Sequence, residues 1–95
     1  MAKPNNQPIK EALRTRLAAL TALDGVAGHE QAVVAYLRDA FTPLADEVRV
    51  DHMGNVYATV HGQGRAPHLM LEAHSDEIGA MVKSIEPDGY LRILG

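Results

Sequence analysis

Ile9, Leu13, Leu17 and Leu20 recur on one helical face, with Lys10, Arg14 and Arg16 off that stripe. The spacing predicts an amphipathic helix over 9–23. Pro8 is tolerated in its first turn, where the missing N–H has no intrahelical partner to lose. Residues 24–28, Asp-Gly-Val-Ala-Gly, interrupt the pattern, and two glycines free that loop for unusual backbone angles. A second helix is predicted over 29–41, with Val33, Val34, Leu37, Ala40 and Phe41 as its apolar face and Glu30 suited to the dipole of its first turn. Pro43 marks its end.

From residue 47 the period drops to two. Residues 47–51 alternate as a strand, 52–55 form a turn, and 55–60 are rich in Val, Tyr and Thr, as a second strand should be. Residues 61–67 form a loop with two glycines and a proline. The short apolar run 68–73 is expected to be a strand buried on both faces. Another strand is expected over 78–85, then a turn at Pro87-Asp88-Gly89 and a last strand from Tyr90 to Leu94. The expected fold class is α/β: two amino-terminal helices followed by β-strands of a mixed sheet. The chain stops at Gly95 directly after an apolar strand, so it is expected to be the front of something longer.

Composition narrows the function classes. The chain has 95 residues, a net charge of -3 and no cysteine. That charge gives no footprint for nucleic acid or an anionic membrane, so neither is expected as a partner. The lack of cysteine excludes disulfide scaffolds, Cys-type zinc ribbons, iron–sulfur clusters and thiol nucleophiles. No apolar stretch is long enough to span a bilayer, and residues 1–10 lack the apolar middle of a signal peptide; a cytoplasmic location is expected.

Several motifs begin and fail. His29-Glu30 starts like H-E-x-x-H, but position 33 is Val. Gly62-Gln63-Gly64 is followed by Pro67 and a strand, where a dinucleotide site needs Gly and a helix. Ser75 and Ser84 are the only serines, and neither sits in a G-x-S-x-G elbow. The strongest constellation is Ala73-His74-Ser75-Asp76-Glu77-Ile78-Gly79, at the carboxyl end of an expected buried strand. In extended backbone His74 and Asp76 point to one side, roughly 6.6 Å apart along the chain. A carboxylate there can hold one imidazole nitrogen and leave the other for a metal. The plainer reading is a surface turn with three polar residues. Asp51-His52-Met53-Gly54-Asn55 suffices as a hairpin turn, with Gly54 and Asn55 supplying positive φ. Residues 25–30 read as a helix–helix loop with a charged first turn, and His61 and His68 as solvated.

In order and spacing, residues 20–28 (LTALDGVAG), Glu30, 51–55 (DHMGN) and 73–79 (AHSDEIG) resemble the tetrahedral aminopeptidase family, which includes glutamyl and deblocking aminopeptidases. Residues 81–85, 88–91 and Gly95 continue the likeness, which covers about residues 13–95. The resemblance implies a cytosolic exopeptidase with two divalent metal ions, zinc or cobalt, that removes amino-terminal residues from peptide substrates. It implies a catalytic α/β domain interrupted by an inserted β-rich dimerisation domain, and homo-oligomers in which dimers build dodecamers. Residues 1–77 would then be the amino-terminal part of the catalytic domain and 78–95 the start of the inserted one. His74 would be a metal ligand and Asp76 would orient it; Ser75 stands where many members carry an apolar residue such as Met. The family's other ligands and its general base lie downstream of the matched stretch, and a catalytic zinc takes three protein ligands plus water. The chain alone is therefore expected to be inactive. Two other functions stay open at this point. Glu72, Asp76 and Glu77 cluster in sequence, so an endoglucanase-type hydrolase, which needs a carboxylate pair, is not excluded, and a non-catalytic oligomerisation module could keep the same front end.

Overall fold

A computed structural model describes residues 3–65 and 67–94. Helix α1 spans Gln7–Thr21 and α2 spans Gln31–Phe41, each within two residues of the periodicity-based bounds. Pro8 lies in the first turn of α1, and the Asn5 side-chain oxygen accepts the Gln7 N–H at 3.1 Å, satisfying one of the amides a helix start leaves open. Pro43 falls in a single 3-10 turn, Thr42–Leu44, that closes α2. Four strands follow: β1 Glu47–Val50, β2 Val56–Thr59, β3 Met81–Ile85 and β4 Leu91–Leu94. The α/β class holds. The strands pair as two antiparallel hairpins, β1–β2 and β3–β4, and among the described residues parallel pairing occurs as an isolated bridge between Val26 and Glu77.

The β1–β2 turn is built around the Asp51 carboxylate. It accepts the backbone N–H groups of Met53 and Asn55, each at 2.9 Å, the Asn55 side-chain amide at 2.9 Å and the Tyr57 hydroxyl at 3.2 Å. The Asn55 side-chain hydrogen bond, followed by its backbone N–H, holds Asp51 below the ordinary carboxylate range. Gly54 takes the positive φ (85°) that the turn needs; Asn55 does not, and serves Asp51 as donor instead. Directly opposite in the ladder, Arg49 lies over the ring of Tyr57, 3.8 Å from its centroid.

The core lies where α2 packs against the β1–β2 hairpin. Val33, 3% exposed, is its most deeply buried apolar side chain among the described residues. The stripe of α1 formed by Ile9, Leu13 and Leu17 stays exposed. The radius of gyration is 18.8 Å, against about 12 Å for a compact chain of this length.

Two strand expectations are corrected. Residues 68–73 form no ladder, and Leu69 and Leu71 are 86% and 87% exposed. A strand buried on both faces needs a neighbour on each edge, and none of the described residues supplies one. The strand expected over 78–85 begins only at Met81, because 78–80 lie beyond the reach of β4.

Candidate functional site

The loop between the helices is docked onto the chain just past His74. Glu77 N–H donates to the Gly25 carbonyl at 2.8 Å, within the Val26–Glu77 bridge. Two glycines flanking the bridge sit in tight surroundings. A Cβ at Gly79 would run into the Val26 side chain, and one at Gly25 would lie 3.1 Å from the Val33 side chain. Beyond the bridge, His29 N–H donates to the Val26 carbonyl at 2.8 Å, and Gly28 makes that turn at φ 83°.

This docking forms an open cleft of about 420 Å³. Val26 and His29 line it from the loop; His74, Asp76 and Glu77 line it from the facing segment, with Met81 of β3 beside them. Within it, His74 Nδ1 lies 3.2 Å from the Asp76 carboxylate and 3.1 Å from the Asp76 backbone carbonyl. Both are acceptors, so Nδ1 carries a proton, and in the neutral ring the lone pair is then on Nε2. The His74 side chain is 86% exposed, which leaves Nε2 accessible. Among the described residues, no three His, Asp or Glu side chains gather where one metal ion could bind them all. The donor set is a single oriented imidazole, fit to be one ligand of a larger set.

Glu72 borders a separate depression with Ala73 and His74, so the three carboxylates that cluster in sequence do not share one cleft. His52 is exposed in the β1–β2 turn, and the backbone N–H of His61 is held by Asp46 at 2.6 Å. His68 is exposed, and none of these three histidines lines the cleft. His29 does, and local spacing gave no sign of it. The available signal was Gly79, whose bare backbone admits the Val26 side chain of the loop that carries His29.

Residues 54–95 match the sequence model of the M42 glutamyl aminopeptidase family. The chain is 46% identical over 71 residues to the lysyl aminopeptidase of Pyrococcus furiosus, a match covering 74% of this chain and 20% of that protein. It is 44% identical over 71 residues to the putative aminopeptidase SgcX of Escherichia coli (73% and 19%). It is 34% identical over 80 residues to the glutamyl aminopeptidase of Lactococcus lactis (83% and 22%). No solved structure matches significantly. The chain resembles the amino-terminal portion of M42-type aminopeptidases. It spans about a fifth of the length of these relatives.

Proposed function

We propose that this chain is the amino-terminal portion of a metal-dependent aminopeptidase that hydrolyses amino-terminal residues from peptides. The observation that carries the reading is the His74–Asp76 contact, which falls inside the stretch matched by the M42 family. His74 is the ligand this chain offers, through Nε2. Asp76 accepts a hydrogen bond from Nδ1–H, fixes the ring and raises its basicity. A bound divalent ion, zinc or cobalt, supplies Lewis-acid polarisation of the scissile carbonyl. The remaining ligands come from outside the described residues, so the 95-residue chain is expected to show no turnover alone. The exposed stripe of α1 and the unpaired run 68–73 are surfaces that such an enzyme would cover with its remaining length. In this reading residues 1–77 belong to the catalytic domain and 78–95 open an inserted β-rich domain. The enzyme is cytoplasmic and homo-oligomeric.

The test uses the complete enzyme. His74→Ala should abolish turnover of aminoacyl-nitroanilides and empty one metal site with the fold intact. Asp76→Asn should weaken metal binding about 10–100-fold. Wild-type metal content and activity in His74→Ala would refute the assignment.

A further inference from the structure

We propose that His29 is a substrate-binding residue of this site, making a hydrogen bond to a peptide group of the bound substrate. The inference rests on the peptidase reading above and names a side chain that the motif does not.

His29 shares the cleft of His74 and Asp76 although it lies far upstream in sequence. Three independent features hold it there. The Glu77 N–H to Gly25 carbonyl bond pins the loop. The bare Gly79 backbone admits the Val26 side chain. The turn closed by His29 N–H on the Val26 carbonyl, with Gly28 at positive φ, fixes where the next residue emerges. A loop held by this many close approaches is a wall rather than a tether.

The two cleft histidines differ in their engagements. His74 has one nitrogen committed to Asp76. The His29 ring has no hydrogen-bond partner among the described residues and does not join a metal-binding group with the neighbouring acids. A neutral imidazole offers one donor and one acceptor, which match the C=O and N–H of a peptide unit. Val26 and Met81 supply apolar surface beside it, and the Glu77 carboxylate lines the same cleft, where negative charge favours a free α-ammonium. The ligand this combination takes is the amino-terminal end of a peptide, with His29 gripping its backbone.

The complete zinc-loaded enzyme, assayed on aminoacyl-p-nitroanilides, tests this. His29→Ala and His29→Phe should raise KM about tenfold, the loss of one hydrogen bond, with kcat changed less than about twofold. Zinc content should stay at the wild-type value. His29→Gln, which keeps a donor and an acceptor, should recover most of the loss; a purely structural role would not be rescued this way. An unchanged KM in His29→Ala and His29→Phe, while His74→Ala still strips zinc and turnover, overturns the role of His29 and spares the peptidase reading. Wild-type protein without zinc-dependent turnover overturns both.

Discussion

Gly79→Ala probes the docking that builds the cleft. Gly79 is not at positive φ, so alanine is acceptable to the backbone, and the perturbation is steric: the new methyl group meets the Val26 side chain. Val26 is β-branched and stiff at χ1, so it relieves the contact by leaving its rotamer or by moving the loop. Overpacking of this kind costs about 1–3 kcal/mol. Loss of unfolded-state entropy on replacing glycine returns about 0.4–1 kcal/mol. The net is near 1 kcal/mol, which opens the bridge about fivefold more often. The reporter is the Glu77 amide, which donates across the bridge to Gly25 and is read by hydrogen exchange. It should exchange about fivefold faster in Gly79→Ala. Gly62→Ala is the control, since a Cβ there meets nothing within 4 Å, and Glu77 protection should hold. Val26→Ala placed in the Gly79→Ala background removes the opposing methyls and should restore protection, a coupling that only contacting residues show. Wild-type exchange at Glu77 in Gly79→Ala, or no rescue by Val26→Ala, would refute the reasoning.

Two further outcomes follow from other parts of the chain. Asp51 has a folded pKa below its ordinary value of 3.8, so its ionised form stabilises the turn above that pH and the contribution is lost as pH falls through the folded value. Asn55→Ala, which removes the largest cause of the shift, should move the Asp51 titration upward by carbon-13 NMR; a titration that stays put would contradict the network. The isolated chain should self-associate through the exposed run at Leu69 and Leu71, since burying each is worth about 1.5–3 kcal/mol. Replacing both with Lys should shift sedimentation toward monomer, whereas a wild-type monomer at high concentration would show that this surface is not adhesive.

What the sequence displayed was whatever depends on near neighbours. The stripes of α1 and α2 recur within a few residues, and the turns at Gly54 and Gly89 are set by local backbone chemistry, so both helices and both hairpins were readable. Likewise His74 and Asp76 stand two positions apart, and their contact follows from that spacing. The run 68–73 misled because apolar residues record a demand for burial but do not say which strands will meet it. His29 escaped notice for the converse reason: its place in the cleft follows from the Glu77–Gly25 hydrogen bond and the Gly79–Val26 approach, which show only when the two segments meet.

The Val26–Glu77 bridge also sets an order of assembly. Its partners lie about fifty residues apart, so closing that loop costs about 2 kcal/mol more entropy than closing a five-residue turn. Helices and hairpins form within microseconds, and α2 with the β1–β2 hairpin joins segments adjacent in sequence. The cleft is thus the last part to close. On the ribosome the delay lengthens: at about 5–20 residues per second, Val26 waits roughly 3–10 s before Glu77 is even synthesised. By the end of that interval the nascent chain has made both helices and the first hairpin but still has no site to load.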